Sequence, residues 1–481
     1  MSATDPTAST SQSPLVVRTA SDVYALINSG RVVLPRVWLV TVVALGGIFV
    51  DFYDLSSFSI GADQLKNQMH LSGTQLGLLT AASGVGAAIG GLSGGYITDR
   101  VGRFRLFVLD LLLFVGAALY CALSPNYPWL LSARFLIGLG IGLDVPVALA
   151  FVAEYHAVSR KARAVNVWPI VSSTSVVLVY ILATAIYYAG AGNNLWRYTV
   201  AVGSVFAAVV LALRYLYVAE SPMWMASQGH LQEAVSLMSD KTGSNIQLMT
   251  SELHHTPSQR DSVNQLFKPS PQSYRRLFAP QFRLRTIIIT ILAVGEAIEY
   301  FGVGFYTPTI LTKLFGGSLV PTLLGSALAS AFGIAGAILC MIFTQKIGMR
   351  RLGLIGFAFA AASLIILGLL GSTILAIFTV IVIGIFYAAH NFGPGTIPAS
   401  MGTLSFPTSI RGTGGGYTQA VIRLGSVVGF YVFPVLISLT GTGHTVLIIA
   451  IAPVVCFLVL TFVSWDPVNR DIDLEDDEMV S

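Results

Sequence analysis

Charged residues are scarce in this chain. They make up 10% of its 481 residues, against roughly 25% in soluble globular domains, while 54% of residues are hydrophobic and the mean hydropathy is +0.75. So little charge cannot cover a water-facing surface, which excludes an ordinary soluble enzyme or binding domain. Cysteine is scarce too. Cys121, Cys340 and Cys456 each fall inside an apolar run, so neither a disulfide framework nor a metal-ligand spacing is present. The formal charge of +4 comes from basic residues scattered at the ends of apolar runs, which speaks against a nucleic-acid partner. Residues 1–30 are polar and lack the apolar core of a cleavable signal. The short alternating segments of a transmembrane barrel are also missing.

What is there is a series of apolar runs, each long enough to cross a bilayer as a helix. We place spans at 37–60, 75–98, 105–123, 128–153, 165–189 and 196–218, then at 285–312, 322–344, 352–370, 373–400, 414–440 and 443–465. The expected fold class is an all-α membrane protein of twelve transmembrane helices in two six-helix pseudo-repeats. The expected domains are a cytoplasmic tail (1–36), a first six-helix bundle (37–218), a polar cytoplasmic linker (219–284), a second bundle (285–465) and an acidic tail (466–481).

The repeat is visible in a charged turn. Gly95-Tyr-Ile-Thr-Asp99-Arg100-Val-Gly102-Arg103-Phe-Arg105 sits between the second and third spans, and a degraded copy, Lys346-Ile-Gly348-Met-Arg350-Arg351, recurs about 246 residues later. Lys and Arg concentrate in the turns placed on this side, with Arg160, Lys161, Arg163 and Arg411 among them. The positive-inside bias therefore puts both termini on the cytoplasmic side. Acid–base pairs at such a face can latch one conformation and break in another. We take Asp99, Arg100, Arg103, Glu154, Arg160 and Arg411 as candidate gate residues.

Ionisable groups within spans are costly and need a reason. Asp51 and Asp54 share one face of the first span, and Glu296 and Glu299 share one face of the seventh with the same spacing. A carboxylate in a low-dielectric site can take up a proton near neutral pH, which makes each pair a candidate for proton coupling. In the fourth span, Asp144 follows Arg134 by ten residues, about 15 Å along a helix, and lies beside Pro146 near mid-membrane. The glycines of Arg134-Phe-Leu-Ile-Gly138-Leu-Gly140-Ile-Gly142 read as a face stripped for close helix packing. The equivalent place in the second half is Ala389-His390-Asn391-Phe-Gly393-Pro394, a broken span suited to lining a cavity. His390, Asn391, Tyr300 and Tyr306 join Glu296 and Glu299 as candidate substrate contacts, and Asp51, Asp54 and Asp144 as candidate proton-coupling groups. Intramembrane cations look few: Arg134 and Arg423 lie near span ends and are the weaker anion ligands.

These motifs resemble the major facilitator superfamily over residues 37–465. They are Gly95-x3-Asp99-Arg100-x-Gly102-Arg103, Arg134-x3-Gly138-x-Gly140-x-Gly142, Glu220-Ser221-Pro222-Met223-Trp224 and Phe406-Pro407-x3-Arg411-Gly412. The last two resemble its sugar-porter-like branch. Asp51-Phe-Tyr-Asp54-Leu55 is similar to the first span of aromatic-acid:proton symporters, and Gly142-Leu-Asp144-Val-Pro146 with Asn391-Phe-Gly393-Pro394 is similar to phosphate:proton symporters. The resemblance implies the major facilitator fold, alternating access, and proton-coupled symport of a small polar metabolite, an organic anion for preference. It implies no cofactor, and a monomer in the lipid bilayer that handles one small molecule and protons. A sugar facilitator or symporter and a proton-coupled drug or metabolite exporter remain alternatives in the same fold. A membrane receptor or membrane-embedded enzyme is the alternative of a different class, with no nucleophile–base constellation in its favour.

Overall fold

Backbone N–H and C=O groups inside a bilayer find partners only within helices or closed barrels, so apolar runs of this length must be helical. The computed structural model describes residues 15–157, 160, 164, 166–249, 271–370, 375–406 and 408–468. Among the described residues, nine helical stretches are long and apolar enough to cross a membrane. Two of them, Trp168–Tyr217 and Thr413–Phe462, are 50 residues long, enough for two crossings each. The first turns back at Gly190 (φ 92) and Gly192 (φ 52), the second at Gly441 (φ 80). These are left-handed positions that only glycine adopts without strain. The glycine-rich helix Gly73–Val101, 29 residues long, makes the twelfth crossing.

We label the crossings α1 (Val37–Ile60), α2 (Gly73–Val101), α3 (Arg103–Ala122), α4 (Tyr127–Tyr155), α5 (Trp168–Ile186) and α6 (Leu195–Tyr217) in the first bundle. The second holds α7 (Pro280–Gly304), α8 (Leu319–Ile347), α9 (Met349–Leu370), α10 (Ala376–Phe392), α11 (408–440) and α12 (442–462). Two expected spans are interrupted. After α7 a fresh helix, Thr307–Leu314, begins beyond a wide turn at Tyr300–Gly304, and after α10 the helix resumes at Ile397–Leu404. Pro308 and Pro394 account for the restarts, because proline cannot supply the N–H that a continuous helix needs.

The bundles meet along two seams. α2 packs on α11, and the counterpart of α2 in the repeat, α8, packs on α5, the counterpart of α11. Close approach is possible because small residues line the first seam: a Cβ on Gly73 would come within 2.9 Å of the Pro434 carbonyl. Thr80 Oγ1 donates to the Phe430 carbonyl (3.1 Å) and lies 3.0 Å from the Tyr306 hydroxyl, whose ring stacks on Phe433 with centroids 4.7 Å apart. These contacts close the end of the molecule away from the chain termini, which we call the distal end; the other is the terminal end.

The segments expected as tail and linker are partly folded together. Strand β1 (Leu15–Val17) pairs in parallel with β2 (Ile246–Leu248), Leu15 opposite Ile246. Helices Ala20–Asn28, Pro222–Ser227 and Leu231–Thr242 pack around them, and Val17, Val23, Ala234 and Met238 are fully buried. Asp22 accepts from the backbone N–H groups of Arg18 and Thr19, each at 2.8 Å, which holds its carboxyl below the usual range. The pairing ties the start of the chain to the stretch that leaves α6.

The buried Val17 side chain gives a test of this clasp. Val17→Asp places a charge in a fully buried site, and amide exchange should rise together over residues 15–28 and 231–248 while α1–α12 keep their protection. Faster exchange confined to residues 15–28 would mean that the two segments fold independently.

Candidate substrate and proton site

Four carboxylates and two guanidiniums are buried in the core of the first bundle: Asp51, Asp54, Asp110, Asp144, Arg134 and Arg214, none more than 3% exposed. Ion pairs hold five of these six groups, all but Asp51. Arg134 on α4 donates to Asp54 Oδ2 on α1 at 2.7 Å and to the Ser83 hydroxyl on α2 at 3.3 Å, with its guanidinium 4.2 Å from the Phe58 ring centroid. Arg214 on α6 donates to Asp144 Oδ1 on α4 at 2.6 Å, to the Ala44 carbonyl at 2.7 Å and to Asp110 Oδ2 on α3 at 3.3 Å. Gly47 makes room for this cluster, since a Cβ there would lie 2.1 Å from Asp144 Oδ2. Gly138 and Gly142 bring α4 against the α2 backbone at Ser83 and Ala87. Asp51 Oδ2 and Asp144 Oδ2 have no hydrogen-bond partner among the described residues.

The second bundle is built differently. His390 on α10 sits between two carboxylates of α7: its Nδ1 lies 3.1 Å from Glu299 Oε1 and its Nε2 3.8 Å from Glu296 Oε1. Its ring stacks on Tyr300 with centroids 4.4 Å apart. The helix break at Gly393–Thr396 fits around it, since a Cβ on Gly395 would come within 2.6 Å of His390 Nε2. Asn391 donates across the bundle boundary to Ser173 on α5 at 3.1 Å.

A cavity of about 60 Å³ lies between the bundles, on the terminal side of the closed distal end. It has room for about four or five waters. Phe52, Trp168, Tyr300 and Phe301 form its apolar lining, and Ser172, Ser173, Asn391, Gln419, Glu296 and Arg423 its polar lining. Arg423 on α11 is the cation of this wall. Its guanidinium feels the charges of Asp51 and Glu296 yet forms no hydrogen bond or ion pair with any described residue. No group of three or more His, Cys, Asp or Glu side chains suited to a metal occurs among the described residues.

At the terminal end, Arg103 pairs with Glu154 at 3.0 Å. Glu220 accepts from the backbone N–H groups of Arg103 and Phe104 at 3.0 and 3.2 Å, where Gly102 (φ 103) turns the chain into α3. The second bundle repeats this device: Asp466 accepts from the Arg350 N–H at 2.9 Å beside Gly348 (φ 85). Both members of the device are displaced by the same 246 residues (348 − 102 and 466 − 220). Arg160 is exposed. The side chains of Asp99, Arg100 and Arg411 lie outside the described residues.

Several expectations need correction. Tyr306 is not a cavity residue, because its hydroxyl and ring are taken up by Thr80, Phe430 and Phe433 in the distal closure. Glu299 is fully buried behind His390 and does not reach the cavity surface. Asp51, Asp54 and Asp144 do not line the cavity; Asp51 and Asp144 stand one residue from its lining residues Phe52 and Val145, and Asp54 is paired with Arg134. Intramembrane cations are not few: Arg134 and Arg214 are fully buried in ion pairs, and Arg423 faces the cavity. Asp110, Arg214 and Glu220 carry this architecture and were not among the expected site residues. Arg214 sits in the last turn of α6, where a basic residue reads as a topology marker, and only its distant partners reveal another use.

Two bundles joined by tandem seams around a central cavity are the architecture of a membrane carrier. Residues 39–473 match the family model described as sugar (and other) transporter, and the chain belongs to that family. It is a multi-pass membrane transporter and not an enzyme. It is 26% identical over 394 residues to a niacin transporter of Acinetobacter baylyi, covering 81% of this chain and 84% of that protein. It is 26% identical over 385 residues to an arabinose-proton symporter of Bacillus subtilis, covering 77% and 79%. Among solved structures, the xylose transporter XylE from E. coli in a partially occluded inward-open conformation superposes with a TM-score of 0.74 at 20% identity, covering 90% of this chain and 99% of that one. That likeness establishes the major facilitator fold.

The buried pair Asp54–Arg134 yields a stability test. Arg134→Met leaves Asp54 as an uncompensated buried charge and should destabilise the protein by about 3–5 kcal/mol. Adding Asp54→Leu should recover most of that loss. Thermal unfolding of the three variants in detergent measures both steps, and an additive double variant would show that the two side chains do not act as a pair.

Proposed function

We propose that this transporter carries a small organic anion, with a carboxylate for preference, together with protons across a cell membrane. One observation carries the substrate class: Arg423 presents a guanidinium to the cavity without a hydrogen bond or ion pair to any described residue. A partly buried guanidinium recruits a carboxylate in bidentate geometry, and no existing pair has to break first. Phe52, Trp168, Tyr300 and Phe301 suit a flat apolar body, while Asn391, Ser172 and Ser173 suit a polar edge. The niacin transporter among the relatives is named for such a solute, and the arabinose-proton symporter for proton coupling.

In this reading Asp51, Asp54 and Asp144 exchange protons with water in the cavity, and Glu296, His390, Asn391 and Tyr300 contact or orient the solute. The Lys/Arg bias of the turns puts both termini in the cytoplasm. The closed distal end then makes this the inward-facing form. Arg103 and Glu154, with Asp99, Arg100 and Arg160 nearby in sequence and Arg411 of the second bundle, form the cytoplasmic gate. The chain works as a monomer.

The cavity's hydroxyl and amide groups also suit a neutral sugar, and one experiment separates the two. Purified protein is screened by thermal shift against nicotinate, benzoate, succinate, phosphate, arabinose and xylose. A ligand that binds only the folded state raises the melting temperature by mass action. The expected result is stabilisation by a monocarboxylate that Arg423→Gln weakens about tenfold or more in apparent affinity, as loss of a charge-assisted contact implies. Stabilisation by a pentose alone, unchanged in Arg423→Gln, would replace the anion reading with a sugar one. Proteoliposomes under an inward proton gradient then test coupling: accumulation of the bound solute is expected, and simple equilibration would rule out symport.

A further inference from the structure

Asp110 lies on α3, away from the cavity wall, and neither the motifs nor the spacing of the sequence gives it a task. The structure gives it unusual company. Arg214 donates to Asp144 Oδ1 at 2.6 Å and to Asp110 Oδ2 at 3.3 Å. Both carboxyl groups therefore lie against one guanidinium. The count of charge calls for one proton. One guanidinium balances one of the two carboxylates, in a core where Asp110 and Asp144 are each 2% exposed.

The described neighbours add no second cation in an ion pair with either carboxyl. The other charged group facing Asp144 is Asp51 from α1, which adds to the negative side. Among the described residues, Arg214 is the one cation that forms an ion pair with Asp110 or Asp144. Asp110 receives one backbone bond, from the Leu111 N–H at 2.7 Å. The cluster is also close to the cavity. Asp144 precedes Val145 and packs on Gly47, which precedes Ile48; both Val145 and Ile48 line the cavity.

We propose that Asp110 and Asp144 hold a single proton between them across Arg214, and that Asp110 is thereby a proton-holding residue of the transporter, distinct from the Asp54–Arg134 pair. The coupling role of this proton rests on the proton-symport reading above. On release, an O–H bond breaks and the proton passes to water in the cavity. Arg214 is then left between two carboxylates. On uptake the same bond reforms. No other bond is made or broken. Arg214 also binds the Ala44 carbonyl, so a change in its balance between Asp110 and Asp144 bears directly on α1.

Infrared spectroscopy of the full-length protein in lipid at neutral pH tests the shared proton without knowledge of the substrate. The wild type is expected to show the carbonyl stretch of a protonated carboxyl group, and both Asp110→Asn and Asp144→Asn are expected to lose the signal of one such acid per chain. In either variant the remaining carboxylate pairs with Arg214 and needs no proton. Asp110→Glu should restore the signal, which a merely structural role for Asp110 would not predict. If Asp110→Asn does not fold, the charge-balanced Asp110→Asn/Arg214→Gln variant carries the test, with Asp144 then protonated and its signal kept. An unchanged signal in both single variants would overturn the proposal. Proton uptake on adding nicotinate to proteoliposomes reads the coupling separately: wild-type protein that moves nicotinate without protons would sink the symport reading and leave the infrared result standing on its own.

Discussion

Compensation of buried charge is the constraint on which this architecture depends. Each of Asp54, Arg134, Asp144 and Arg214 would cost several kcal/mol alone at bilayer depth, and the first bundle removes that cost by crosslinking its helices. Asp54–Arg134 joins α1 to α4, and Arg214 joins α6 to α3, α4 and the α1 backbone. The helices of this bundle are therefore fixed by directional contacts, in an environment where apolar packing against lipid-like neighbours gives little specificity. Gly47, Gly138 and Gly142 belong to the same solution, because short ion pairs between helices need backbones that approach closely.

The second bundle shares the frame but not this centre. The repeat is exact in the turns, where Gly102 with Glu220 and Gly348 with Asp466 stand at the same displacement. It fails in the core. Arg134 and Arg214 correspond to Val380 and Leu460 by the same offset. What remains is a carboxylate–imidazole–carboxylate set, Glu299, His390 and Glu296, with Arg423 as the cation that reaches the cavity. The shared turns maintain the topology, and the divergent cores divide the labour between a rigid charged bundle and one with fewer fixed pairs.

The legible part of this structure was the part encoded locally. Apolar run length gave the crossings, the doubled charged turn gave the repeat, and the alternating glycines of α4 gave a packing face that the contacts with Ser83 and Ala87 match. Partnership was not legible. Asp110 and Arg214 are 104 residues apart, and nothing near either names the other. Arg134 read as a span-end residue because boundaries were placed by hydropathy, which cannot tell a snorkelling arginine from one paired inside the bundle. The β1–β2 clasp escaped notice for a similar reason: three-residue strands leave no periodic signal, and Leu15 meets Ile246 across most of the first half of the chain. Tyr306 was placed in the cavity by proximity in sequence to Tyr300, but the wide turn at Tyr300–Gly304 rotates Phe305 and Tyr306 into the distal closure.

That wide turn and the break in α10 face each other. Tyr387 on α10 donates to the Gly304 carbonyl at 2.7 Å, a group the wide turn leaves available, and Gly395 N–H returns to the His390 carbonyl at 2.8 Å to close the α10 break. Interrupted helices inside a membrane are tolerated only where other groups satisfy the freed backbone, and here Tyr387 and the Gly395 N–H do so. Tyr387 thereby ties the α7 backbone to α10 next to Tyr300 and His390. The first bundle is instead stitched by the ion pairs of Arg134 and Arg214. Asn391 and Ser173 form a polar contact that spans the boundary between the bundles at the cavity.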